Sequence, residues 1–249
     1  MNKVKVLFVA ANPVGTKPLQ LDEEIRQITT KLRAAEYRDS LELVSRWAVR
    51  PDDLLQALLE VKPQIVHFSG HGTQGEPISG PPPSPLPSGR DLIPPDSGQA
   101  GQLIFMGDRG QPQPVSQEAL VYLFRTLRDN VRVVVLNACH SRPQAEALAE
   151  TIDCSIGMNQ PIGDEAAIVF AVSFYRALGF GRSVREAFEL GKAALLLEGI
   201  PEDKTPELLT RQGVDDTRLI LIPRRPRRSR VPRNLRRRGD LESRPASHL

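Results

Sequence analysis

Apolar residues in this chain concentrate in short runs, separated by stretches in which they recur every three or four positions. Residues 4–10, 41–48, 64–69 and 131–136 are runs dominated by Val, Ile, Leu and Phe. Such runs suit strands covered on both faces of a parallel sheet. Between the first two runs, Leu21, Ile25, Ile28 and Leu32 have helical spacing, and Asp22, Glu23 and Glu24 occupy the first turn, where acidic groups complement the helix dipole. Pro51 suits the first position of a helix over 52–61, and Pro63 stops it before the third run. Strands alternating with helices predict βαβ units and an α/β fold with a mostly parallel sheet.

The alternation is interrupted at residues 73–102, which hold eight prolines with scattered Gly and Ser. No regular element tolerates that composition, so the segment is expected to be an inserted loop leaving from His71 and overhanging whatever lies there. Residues 103–106 predict a short extended piece. Residues 116–128 predict an amphipathic helix carrying Leu120, Leu123, Phe124 and Leu127. After the fourth strand the pattern predicts a helix at 143–151, a strand at 154–158, helices at 164–178 and 184–198, and a last strand at 217–222. The 164–178 helix is apolar on almost every face and is expected to be buried.

Composition adds boundaries and exclusions. The chain has 249 residues, 40% of them hydrophobic, enough for one sizeable core. Its net charge of +3 hides an asymmetry: from Pro223 onward ten arginines face only Asp240 and Glu242, so the preceding 222 residues are net acidic. One folded domain over 1–222 and a disordered basic tail over 223–249 follow. The tail is either a solvated extension or a site for an acidic partner or nucleic acid, whose phosphates ten arginines would bind in a salt-dependent way. No run is long enough to span a membrane, and a cytoplasmic location is expected. The only cysteines, Cys139 and Cys154, are not spaced as metal ligands or as a disulfide framework, so neither a metal nor a cofactor is expected.

The chemistry concentrates after two predicted strands. Ser69-Gly70-His71-Gly72 closes the third, and Asn137-Ala138-Cys139-His140-Ser141 closes the fourth. Loops converge at the carboxyl ends of parallel strands, so His71 and Cys139 can meet there as base and nucleophile. The backbone N–H groups of Gly72 and Cys139 are candidate donors to an oxyanion. Gly70 and Gly72 permit close approaches that side chains would block. His67 reads either as a satisfied core histidine or as the floor of a pocket, and His140, adjacent to Cys139, has a supporting role. Cys154, at the start of a buried strand, is expected to be inert.

The ordered set His67-Phe68-Ser69-Gly70-His71-Gly72, Val133-Val134-Val135-Leu136-Asn137-Ala138-Cys139-His140-Ser141, Ile156-Gly157-Met158, Asp164-Glu165-Ala166-Ala167 and Phe174-Tyr175-Arg176-Ala177-Leu178 resembles the CHAT domains of bacteria, over residues 4–222. These are caspase-like peptidases of the clan that also holds separases, gingipains and metacaspases. The resemblance implies a caspase-like, mostly parallel sheet sandwiched by helices, and cysteine endopeptidase chemistry on a protein or peptide substrate. It places the family's catalytic pair on His71 and Cys139, and it implies work as an effector tied to a sensor or activator protein. Metacaspase-like relatives of basic specificity carry Asp two residues before the Cys, where this chain has Asn137. Asp164 or Asp153 could supply that charge instead, although Asp164 also reads as a helix cap. A catalytically silent module that binds a partner peptide in the same groove is the alternative class.

Overall fold

The computed structural model describes residues 3–73 and 101–222. The predicted loop 73–102, apart from its ends, and the tail 223–249 lie outside the described residues.

Chain order is β1 (Val4–Ala10), α1 (Leu21–Arg33), β2 (Leu41–Arg46), α2 (Pro51–Val61), β3 (Ile65–Ser69), β4 (His71–Gly72), β5 (Leu103–Met106), β6 (Pro112–Val115), α3 (Gln117–Thr126), β7 (Val133–Asn137), α4 (Arg142–Leu148), β8 (Cys154–Met158), α5 (Asp164–Gly179), α6 (Val184–Leu197) and β9 (Pro206–Thr210). The main sheet runs β2-β1-β3-β7-β8-β9, parallel throughout except for β9, which pairs antiparallel with β8. This is the α/β architecture that the apolar runs predict.

Alternation along the strands feeds two cores. Val6, Phe8, Ile65, Val133 and Val135 meet α1, α5 and α6 on one face. Leu7, Val9, Val66, Phe68, Val134 and Leu136 meet α2, α3 and α4 on the other. Both faces are covered, so the central strands need no polar side and read as continuous hydrophobic runs. Helix ends follow the sequence closely: Pro51 occupies the first turn of α2, Ser116 caps α3 through the Ala119 N–H, and Ser183 with Glu186 forms a capping box on α6.

Three strands depart from the sequence reading. His71–Gly72 and Pro112–Val115 flank Leu103–Met106 in a small antiparallel sheet, β4-β5-β6. The expected strand at 217–222 does not form, because the free edge of β8 is taken by β9. Leu219 and Ile222 bury individually against the α5–α6 core, and the Leu219 carbonyl accepts the first N–H of α6 at 3.0 Å. Among the described residues, no helix is long and apolar enough to cross a membrane.

Candidate active site

The first crossover from β1 leads to β2 on one side, whereas every later strand is added on the other. The order therefore reverses between β1 and β3. Ligands bind in the crevice outside the carboxyl ends of strands at such a switch point. Three strand ends meet there in register: Ala10 of β1 pairs with Ser69 of β3, and Ser69 pairs with Asn137 of β7. His71 and Cys139 each lie two residues beyond a member of that row.

Close backbone packing continues the convergence past the strands. The Gly70 N–H donates to the Asn137 carbonyl at 3.3 Å, and the Ala11 N–H donates to the Ser69 carbonyl at 3.1 Å. A Cβ on Gly70 would stand 2.8 Å from the Ala11 carbonyl oxygen, and one on Gly72 would overlap the carbonyl oxygen of Cys139. No side chain fits at position 72, so the residue after His71 lies directly on the backbone of Cys139. The Thr73 N–H donates to Gln102 O at 2.9 Å. Because donors alternate along an antiparallel ladder, the Gly72 N–H points away from β5 and stays out of the small sheet's pairing.

Asn12, just past β1, completes the environment of His71. Its Oδ1 lies 3.3 Å from His71 Nε2. Asn12 also lines a cavity of about 320 Å³ together with Leu19, Trp47 and Met106. The imidazole is half-buried, and burial pushes its pKa below the ordinary 6.5; a hydrogen bond to the Lys17 backbone and the charge of Asp164 oppose that shift. His71 is thereby held neutral while keeping partners that favour its cation.

Cys139 stands in a turn between β7 and α4 and is partly exposed, its Sγ 3.9 Å from the Ile162 carbonyl. The turn needs a left-handed residue, and His140 supplies it at φ +55°. Ser141 then locks the turn from inside: its buried Oγ donates to Leu136 O at 2.8 Å and accepts the Met158 N–H at 3.0 Å. Gly157 on β8 lets α4 pass, since a Cβ there would meet Ser141 O at 2.7 Å. Cys154 differs in every respect. It is fully buried on β8, and desolvation pushes its thiol up to about 12.

The remaining sequence candidates separate. Asn137 is buried at the row of strand ends. Asp164 opens α5, where Gly163 rather than Asp164 is the capping residue; its carboxylate instead accepts the Gln20 N–H at 3.0 Å, tying the start of α5 to the start of α1. Asp153 is not brought to the site. It precedes β8 at the amino end of the strand, the opposite edge of the sheet, and its carboxylate accepts from Arg132 and Arg211. Burial alone would raise that carboxyl, yet the two guanidiniums hold it below the usual range. His67 is a core residue, wholly buried and stacked on Phe8 with ring centroids 5.0 Å apart.

Two residues escaped sequence reasoning. Asn12 reads as an ordinary loop residue, though a polar side chain just past the first strand of an α/β sheet was a usable signal. Glu24 reads as a dipole-complementing charge but is only 2% exposed. It accepts hydrogen bonds from Ser69 Oγ and, at 2.7 Å, from Asn137 Nδ2.

A family model for the CHAT domain matches residues 4–201. The chain belongs to the CHAT domain family. Over 206 residues, or 80% of its length, this CHAT domain is 24% identical to a Roc-COR-CHAT protease from an unknown prokaryotic organism, of which it covers 17%. It is likewise 24% identical over 175 residues, 70% of its length, to a probable protease of Gillisia limnaea, covering 26% of that protein. The chain thus spans about a quarter or less of the curated relatives it matches. Among solved structures it shares the fold of a secreted C11 cysteine protease from Bacteroides thetaiotaomicron, determined with an irreversible peptide inhibitor. The TM-score is 0.54 at 11% sequence identity, over 84% of this chain and 66% of that one. The CHAT domain therefore has a caspase-like protease fold.

Iodoacetamide should modify Cys139 and spare Cys154 in the folded protein, because the thiolate is the reacting form and Cys154 is both buried and held protonated; peptide mapping that found Cys154 modified first would contradict the assignment. At the turn, His140→Gly should keep stability within about 1 kcal/mol of the wild type, whereas His140→Val should cost about 1–2 kcal/mol in denaturant unfolding, since a β-branched residue resists positive φ.

Proposed function

We propose that this CHAT domain is a cysteine endopeptidase in which Cys139 is the nucleophile and His71 the general base. The observation that carries the proposal is the seating of Gly72 on the Cys139 backbone, which joins the His71 segment to the Cys139 turn at the switch-point crevice. The protease names of the two relatives and the fold of the C11 cysteine protease support the same reading.

In the proposed reaction Cys139 Sγ attacks the carbonyl carbon of a peptide bond while its proton passes to the neutral His71 imidazole. The negative charge moves to the carbonyl oxygen, where the Gly72 and Cys139 N–H groups serve as donors. The Asp164 charge and the Lys17 carbonyl favour the imidazolium formed in this step. Collapse of the tetrahedral species breaks the C–N bond, His71 returns its proton to the departing amine, and a thioester remains. Water then attacks the thioester with His71 as base, releasing the carboxylic acid and restoring the thiol. The sequence-implied role as an effector responding to a sensor or activator protein is part of the same proposal.

Hydrolysis of a peptide library tests it. The wild type should cleave, Cys139→Ala should not cleave above background, and His71→Ala should lose about 10²–10⁴-fold in kcat/KM. A folded wild type that binds peptides without cutting them would mark a binding module instead.

The pH dependence has a fixed sign. The folded pKa of His71 is lowered, so the native state binds fewer protons than the unfolded chain between the two values. The associated stability is present above the unfolded value and is lost as pH falls from there through the folded value. The acid limb of kcat/KM should accordingly lie below 6.5, the ordinary imidazole value. A limb at or above that value would contradict a burial-depressed base.

A further inference from the structure

A buried carboxylate ties together the two strand ends that carry the dyad. Glu24 sits on α1 at 2% exposure, beneath the row where Ser69 of β3 pairs with Asn137 of β7. Its Oε2 accepts from Ser69 Oγ and its Oε1 accepts from Asn137 Nδ2 at 2.7 Å. His67 Nε2 approaches the same Oε1 at 3.1 Å, outside the geometry of a formed hydrogen bond, while Nδ1 of that ring lies 3.1 Å from the Tyr175 hydroxyl. Burial and the charge of Glu24 keep that hydroxyl protonated, so it can donate to Nδ1, leaving the ring proton on Nε2, toward Glu24.

The Asn137 amide depends on this carboxylate for its orientation. Its Oδ1 is buried without a hydrogen-bond partner, and only its NH₂ is held, by Glu24 and at 3.4 Å by the Ala167 carbonyl. A lone buried acceptor is tolerated here because the opposite end of the amide makes a charge-assisted bond. Each of the two clamped residues stands two positions before a member of the dyad. Small displacements of a strand end there would move His71 relative to Cys139, and misplacement of about 1 Å can cost about 10²-fold in rate.

We infer that Glu24 is a positioning residue, which sets the relative placement of His71 and Cys139 by holding Ser69 and Asn137 together. The inference rests on the proposed roles of those two residues and adds a third element, α1, to the machinery. It also makes positions 24 and 137 a matched donor–acceptor pair. Asn137→Asp would put two carboxylates in contact and aim an acceptor at the Ala167 carbonyl. With Glu24→Gln as well, every bond to position 24 can be remade: the new amide oxygen accepts from Ser69, and the new NH₂ donates to the carboxylate introduced at position 137 and to His67 Nε2. His67 then carries its proton on Nδ1 and donates it to Tyr175.

The test is a cycle of Glu24→Gln, Asn137→Asp and the double variant E24Q/N137D in the full chain. Readouts are the rate of Cys139 alkylation by iodoacetamide, well below each unfolding midpoint, together with kcat and KM on a cleaved peptide. Asn137→Asp should slow alkylation and kcat by at least about tenfold with KM little changed, as expected from an uncompensated buried charge displacing reacting groups. Adding Glu24→Gln should recover most of that loss, a rescue that a merely space-filling role would not give. Wild-type alkylation in Asn137→Asp, or a folded double variant no faster than Asn137→Asp, would overturn the inference. If Asn137→Asp fails to fold, the double variant must fold and react, and its failure to do so would equally overturn it. Alkylation keeps this result separate from the protease proposal: a wild type that never cleaves peptide refutes the protease, while the alkylation cycle still decides the role of Glu24.

Discussion

The register between β3 and β7 is the constraint from which the rest of the site follows. Ser69 and Asn137 stand opposite one another as the last residues of two parallel strands, so that His71 and Cys139, two residues further on, both lie beyond the same edge of the sheet. Parallel pairing makes this robust. A slip of one residue in β3 would turn His67 and Ser69 to the opposite face and bring Val66 and Phe68 against α1 and α5. The apolar face of β3 that packs on α2 and α3 thus also protects the geometry of the polar edge.

Glycine and serine finish what the strands begin. Gly72 allows the His71 segment to lie on the Cys139 backbone, and Ser141 holds the turn that exposes the thiol by bonding both β7 and the end of β8. His140 accepts a left-handed conformation costing on the order of 1–2 kcal/mol in a residue with a Cβ, and the surrounding bonds retain it. Local strain is placed beside Cys139, while Cys154 sits in strand geometry within the core.

Much of this was legible in the sequence. The central strands announced themselves as runs of Val, Ile and Leu because both faces are buried, and the helices by their apolar spacing and, at α2, by Pro51. Asp153, kept as a candidate in the sequence, is removed by strand direction, since a residue before β8 lies at the edge opposite Cys139. The terminal strand was misplaced for a reason that only tertiary structure contains. Residues 217–222 have the more strand-like composition, but pairing goes to Pro206–Thr210, which reaches the free edge of β8 first along the chain and leaves Leu219 and Ile222 to pack singly. Glu24 was visible and misread. It falls in the stripe with Leu21, Ile28 and Leu32, the residues α1 buries, so its position marked it as a core residue while its charge suggested a solvated first turn.

A carboxylate in an apolar stripe is costly unless several donors surround it, and Glu24 meets them from β3 and β7 at once. The cost explains why the pair must be read together. Asn at 137 suits the carboxylate beneath it, because its amide NH₂ donates where an ionised Asp could only accept. The carboxylate near this edge of the sheet lies one layer below the strand ends, on a helix, where Ser69 and Asn137 hold it in hydrogen bonds. A carboxylate committed in that way can fix the two strand ends relative to one another but is not free to meet a group in the crevice above. Under the proposed endopeptidase function, selectivity for the residue before the scissile bond then rests on groups that still face the crevice rather than on Glu24.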